Sequence, residues 1–119
     1  MDVKVSPSEK NANVTVISLS GRLDTQTAAT SSAQIMEALE RSSAGIIMDL
    51  AGMEFISSAG LSILLALRKK AEPGSKKIAI IRAHPSVYKI FKITALDQVL
   101  NFFDDEDEAI QALWPPSGQ

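Results

Sequence analysis

The chain has 119 residues, 45% of them hydrophobic and 22% charged, a size and balance that suit one domain with a single core and leave no room for two. A net charge of −2 supplies no cationic field of the kind that holds DNA or RNA, and the absence of cysteine excludes disulfides, thiolate metal sites and cysteine nucleophiles. No apolar stretch approaches the ~18 residues of a membrane span and the first residues lack a signal-peptide core, so the expectation is a cytoplasmic protein that uses neither membrane nor nucleic acid directly.

Val3 and Val5 alternate with polar residues, and Val14, Val16, Ile17 and Leu19 do so again beyond Glu9-Lys10-Asn11-Ala12-Asn13, which predicts a hairpin of two strands. Gly21-Arg22-Leu23-Asp24 closes the second strand. Asp24 or Thr25 then caps a helix whose buried stripe is Ala28, Ser32, Ile35, Met36 and Leu39. Gly45 to Asp49 reads as a third, interior strand that breaks off at Asp49, followed by a turn and a helix from Ser58 that runs until Ala71-Glu72-Pro73-Gly74-Ser75 stops it. Its last turn carries Arg68, Lys69 and Lys70, cations suited to the negative end of a helix.

Lys77 to Ile81 makes a fourth strand, and Pro85 opens a short helix with Val87, Ile90 and Phe91 on one side and Lys89 and Lys92 on the other. Leu96, Val99, Leu100, Phe102 and Phe103 form an apolar cluster containing a last short strand. Asp104 is expected to open a final helix with Ala109, Ile110, Ala112 and Leu113. Strands alternating with helices after a hairpin predict an α/β domain over residues 1–114, built on a mixed sheet that is mostly parallel with about four helices; residues 115–119 read as a loose tail.

The chemistry concentrates on the turn before the second long helix. Ser57 and Ser58 fall at its N-terminus, where unpaired backbone N–H groups and the positive end of the dipole favour a capping hydroxyl or an anion. The simplest role for either serine is a cap. Asp24, whose loop lies at the same end of such a sheet, is an N-cap and also a candidate partner contact. In the helix itself Leu61, Ile63, Leu64, Leu65 and Leu67 span roughly 200° against the ~100° that a surface helix needs. Either the helix is covered on two sides, or an apolar edge at Ile63 is exposed beside the serines as a partner surface.

Catalysis has no foothold, because G-x-S-x-G, G-x-x-x-x-G-K-[ST], H-E-x-x-H and G-x-G-x-x-G are all missing. No cofactor or metal is expected. His84, the only histidine, sits beside Pro85 as a surface residue. Asp49 at a strand end mimics the acceptor of a response-regulator receiver, yet Val14-Thr15-Val16-Ile17-Ser18 offers no acidic pair for the metal such a domain needs; a carboxylate that fixes a turn is the plainer role. Asp104 to Glu108 complement the dipole of the last helix.

Four blocks, Gly21-Arg22-Leu23-Asp24, Asp49-Leu50, Phe55-Ile56-Ser57-Ser58-Ala59-Gly60-Leu61 and Ile93-Thr94-Ala95-Leu96-Asp97, stand in the order found in the STAS domain family, and the whole chain resembles its small single-domain bacterial anti-sigma factor antagonists. The resemblance implies a non-enzymatic switch. In it the unphosphorylated form binds an anti-sigma factor that is a serine kinase of histidine-kinase-like ATPase fold and so frees a sigma factor. Phosphorylation of Ser58 then ends binding, and a serine phosphatase resets the protein. Ser57 is the alternative acceptor, and Asp24, Ser57, Ser58, Ala59, Gly60, Leu61 and Ile63 are the implied partner-binding set. Where the family often has aspartate before the acceptor and serine after it, this chain has Ser57 and Ala59. The competing role for the same domain is a scaffold or accessory subunit of a stress-signalling or lipid-transport complex, marked by binding without phosphate turnover.

Overall fold

The computed structural model describes residues 1–115; residues 116–119, nearly all of the tail expected to be loose, lie outside the described part. Five strands lie in the order β1 (Asp2–Pro7), β2 (Val14–Leu23), β3 (Gly45–Ile56), β4 (Lys77–Ile81) and β5 (Asn101–Phe103). β1 and β2 are the antiparallel hairpin, and the remaining pairs are parallel, as expected of a mixed sheet. Four α-helices, α1 (Thr25–Arg41), α2 (Ser58–Ala71), α3 (Pro85–Ile93) and α4 (Glu106–Leu113), connect or follow the strands.

Alternation along the interior strands sorts side chains between two cores. Ile46, Met48 and Leu50 of β3 and Ile78 and Ile80 of β4 face the larger core, under α1, α2 and α3. Ile47, Ala79 and Ile81 face the smaller one, where α4 brings Ala109, Ile110 and Trp114. The two cores account for the near-continuous apolar runs of β3 and β4, since strands covered on both faces need no polar side.

β3 does not break off at Asp49. It continues to Ile56, and the expected turn is a strand with two irregularities: Ser18 pairs with Asp49 but Ser20 with Gly52, and Gly21 pairs with Met53 but Arg22 with Phe55. Each shift adds one residue to β3, so the burial period changes and Leu50, Met53 and Ile56 all reach the same core. The Asp49 carboxylate still makes the local bond expected of a turn residue, accepting from the Ala51 N–H at 3.0 Å, and its other oxygen pairs with Arg82 at 3.1 Å. Gly52 sits against β2 so closely that a Cβ would stand 2.5 Å from the Ser20 hydroxyl oxygen.

α1 opens with a reciprocal cap. Asp24 accepts from the N–H groups of Gln26 and Thr27, while the Thr27 hydroxyl oxygen accepts from the Asp24 N–H at 3.0 Å. Its buried residues are Ser31, Ile35, Ala38 and Leu39, so the stripe includes Ser31 and Ala38 in place of Ser32 and Met36, which are only half-buried. α2 is covered on two sides, by the sheet and by α1. Leu61, Ile63, Leu64 and Leu67 are consequently all buried. Each buried aliphatic contributes about 1.5–3 kcal/mol. Their sum outweighs crowding among Arg68, Lys69 and Lys70 at the helix end, where Arg68 and Lys70 are in addition paired with Glu72 and Glu40.

α4 begins one residue later than expected. Asp105, not Asp104, is the N-cap and accepts from the Glu108 N–H at 2.9 Å. Ala112, expected in its apolar set, is exposed. The helix is tied to the hairpin turn through Ser8 to Glu106 and Lys10 to Asp107, and to the start of β3 through the Trp114 indole N–H, which donates to the Ala44 carbonyl at 3.0 Å.

Candidate functional site at the start of α2

Two helices leave the sheet side by side at the C-terminal ends of β2 and β3. Arg22 pairs with Phe55 and Leu23 with Ile56, so Asp24 and Ser57, the N-caps of α1 and α2, occupy the next positions on adjacent strands. Gly60 sets how deeply α2 seats. A Cβ there would lie 2.7 Å from Ile56 Cγ1 and 2.9 Å from Leu23 Cγ, so the absence of a side chain lets the first helical turn rest on the ends of both strands.

Within that turn the two serines differ. Ser57 has extended backbone (φ −96, ψ 176), and its hydroxyl accepts from the Gly60 N–H at 3.4 Å while its carbonyl accepts from Leu61 at 2.9 Å. Ser58 is the first helical residue, is exposed, and its hydroxyl makes no hydrogen bond among the described residues. Ser57 therefore caps the helix at the position where the family resemblance implies an aspartate in many members. The backbone N–H groups of Ser58 and Ala59 also have no acceptor among the described residues, so the exposed hydroxyl stands beside free donors at the positive end of a helix of 14 residues.

Asp24 is half-buried, with its carboxyl held below the ordinary carboxylate range chiefly by the Thr27 backbone N–H; burial opposes this next in size, and Gln26, the Thr27 hydroxyl and Arg22 add to the lowering. The Arg22 guanidinium lies 4.3 Å from the centre of the Phe55 ring and 3.8 Å from the Asp24 carboxylate. Neither Arg22 nor Phe55 stands out as a site residue in the sequence. Only the strand register, shifted by one at this rung, brings them together.

Of the seven residues expected to meet a partner, Ser58 is exposed, Asp24, Ser57 and Ala59 are half-buried, and Gly60, Leu61 and Ile63 are buried. Ile63, a partner contact only if the apolar edge of α2 were exposed, is 8% exposed because α1 covers that side, so the covered alternative holds; the exposed large apolar residue of α2 is Leu65, at 40%. Helical spacing puts Leu65 on the same stripe as Ser58, Ser62 and Lys69. His84 is exposed, as expected, with its Nε2 donating to the Ala51 carbonyl at 2.6 Å. No group of three metal-binding side chains occurs among the described residues, and none of their helices is long and apolar enough to cross a membrane.

The chain is 26% identical over 106 residues to the anti-sigma F factor antagonist of Paenibacillus polymyxa, a match spanning 88% of this chain and 91% of that protein. Its structure is similar to that of an anti-sigma factor antagonist from Mycobacterium paratuberculosis, with a TM-score of 0.82 and 26% identity over 94% of this chain and 92% of the other. The fold is also that of the Bacillus cell fate determinant SpoIIAA in its phosphorylated form, at a TM-score of 0.68 and 21% identity, covering 93% and 98% of the two chains. With the profile of the STAS domain matching residues 6–109, the chain belongs to the STAS domain family.

Proposed function

We propose that this protein is an anti-sigma factor antagonist that works by reversible binding, with Ser58 as its phosphorylation site. The observation that carries the reading is the contrast between the serines: Ser57 is engaged as a cap, whereas Ser58 presents an exposed hydroxyl with no internal partner. The similarity to antagonists in Paenibacillus and Mycobacterium supports the role. In this reading the partner is an anti-sigma factor that is also a serine kinase of histidine-kinase-like ATPase fold, a serine phosphatase restores the binding form, and all act in the cytoplasm. The partner surface comprises Asp24, the Ser57 to Leu61 turn and the exposed stripe through Leu65, with Ile63 supporting it from the core.

Phosphate at Ser58 adds roughly −1.5 to −2 charges beside free N–H groups and the helix dipole, which the isolated domain accommodates. At an interface the same group brings bulk and a hydration shell that docking must strip, so binding falls while the fold persists. Incubation with the cognate kinase and ATP, followed by intact mass and peptide mapping, tests the reading. One added phosphate on Ser58, abolished in Ser58→Ala while kinase binding is retained, is the expected result; phosphate on Ser57, or binding without phosphate turnover, overturns it.

A further inference from the structure

β1 is an edge strand whose outer side pairs with nothing among the described residues. The hairpin fixes which of its main-chain groups face outward. Ser8 N–H donates to the Val14 carbonyl at 2.8 Å, and the register continues without shift through Ser6 with Val16, Lys4 with Ser18 and Asp2 with Ser20. In an antiparallel ladder, hydrogen-bonded pairs alternate with non-bonded ones. Asp2, Lys4 and Ser6 therefore spend their main-chain groups on β2, while those of Val3, Val5 and Pro7 point away from it. Pro7, which has no N–H, stands at one of the outward positions, where an edge strand tolerates it.

The side chains of this strand are equally ordered. Asp2 and Lys4 lie on the open sheet face with Ser18, Ser20 and Asp49. Val3 packs toward the core, and Val5, 51% exposed, borders a groove of about 200 Å³ with Gln34, Glu37, Ala38 and Arg41 of α1. We infer that the outer edge of β1 docks the same edge of a second copy of this chain, in an antiparallel pair centred on Val3, to form a continuous ten-stranded sheet.

Charge selects the second copy and the register. A two-fold axis at Val3 sets Asp2 of each copy opposite Lys4 of the other, giving two opposite-charge cross-strand pairs, and lets the Val3 N–H and carbonyl exchange hydrogen bonds with their counterparts. An axis at Lys4 would set lysine against lysine. An axis at Val5 would leave both charges facing serine and bring Pro7, with no donor, into the paired stretch. On the α1 side, Val3 and Val5 of the two copies come together beneath the paired Glu37 and Arg41 side chains. Since α2 lies over β3 and β4, at a distance from this edge, the Ser58 turn stays open on both copies.

Sedimentation of the unmodified chain from roughly 1 μM to 1 mM, with amide exchange followed at both ends of the range, tests the pairing. The expected result is a monomer–dimer equilibrium in which the Val3 and Val5 amides gain protection with concentration. Asp2→Lys and Lys4→Asp, both surface changes, should each weaken association by roughly tenfold, and the double exchange Asp2→Lys with Lys4→Asp should restore it. A monomer throughout the range overturns the inference. A dimer indifferent to both single changes, or one that the double exchange does not restore, overturns it as well, because the register would then lie elsewhere.

Discussion

The backbone N–H of Ser57 donates to the carbonyl of Leu23 at 2.9 Å, one rung beyond the last paired residues of β2 and β3. That bond holds the beginnings of α1 and α2 at a common level. The two caps, Asp24 and Ser57, and Ser58 that follows the second nonetheless make different hydrogen bonds, so substitutions at the three should have separable effects.

Ser57→Ala should lower stability, since an N-cap serine contributes about 0.5–2 kcal/mol and the 3.4 Å contact to Gly60 places this one at the weaker end. Ser58→Ala should be nearly neutral, its hydroxyl having no internal partner to lose. Urea unfolding of the two variants side by side decides the matter: equal losses would mean that both hydroxyls serve the helix and that the contrast between them is not functional.

The positions of Ile63 and Leu65 predict opposite behaviour for the same substitution. Ile63→Asp buries an unpaired carboxylate and should cost several kcal/mol, enough to unfold a domain of this size. Leu65→Asp should leave the thermal midpoint almost unchanged and weaken binding to the anti-sigma partner. Calorimetric titration of the folded Leu65→Asp variant showing wild-type affinity would remove α2's exposed stripe from the interface.

Acid should erase the contribution of Asp24. Its carboxyl titrates below the ordinary range in the folded protein, mainly through the Thr27 N–H, so the stabilisation is present above the unfolded-state value of about 3.9 and is lost as pH falls through the lower, folded one. Asp24→Asn keeps a capping oxygen but no charge. Thermal melts of both proteins from about pH 7 to about pH 3 should show a gap at neutral pH that closes in acid; a gap that widens in acid would reverse the sign and refute the assignment.

Phosphorylation at Ser58 should leave the fold as it is. Amide NMR spectra of modified and unmodified protein should differ at residues 57–61 and in the Asp24 loop and coincide elsewhere. Shifts reaching Lys77–Ile81 would require a two-state rearrangement of the whole domain in place of local charge and bulk.

The order of elements was legible because each carries an ordinary local signal: alternation in the hairpin, Pro73 and Gly74 after α2, and apolar runs in β3 and β4. Of the candidate site, the two helix starts were legible through Asp24, Ser57 and Ser58, whose side chains suit helix N-termini whatever surrounds them. What failed was local pattern overridden by pairing. Leu50 to Ile56 lose the two-residue period because β3 gains a residue at each of two shifts against β2, and no single strand's sequence declares its partner's register. The choice between a covered and an exposed Ile63 stayed open for a related reason: periodicity gives the width of an apolar arc, while the neighbour that covers its far side, α1, comes from a different segment. Arg22 and Phe55 meet only through that same register. The one-residue error at the cap of α4 reflects two adjacent aspartates, Asp104 and Asp105, equally able to hold a first turn.

Trp114 bonds to Ala44 across a sequence separation of 70 residues, and the surface it covers, Val14, Ile47, Ala79 and Ile81, is assembled from three strands. That surface does not exist until β2, β3 and β4 are aligned, so indole burial is a late, cooperative event in folding. α4, with only 8 residues, has little helical stability of its own before it docks. As the sole tryptophan, Trp114 thus gives the chain an intrinsic optical clock: its fluorescence times the completion of the sheet, whereas far-ultraviolet ellipticity, dominated by α1 and α2, times the helices, and a lag between the two signals after denaturant dilution measures how long the strands take to find their neighbours.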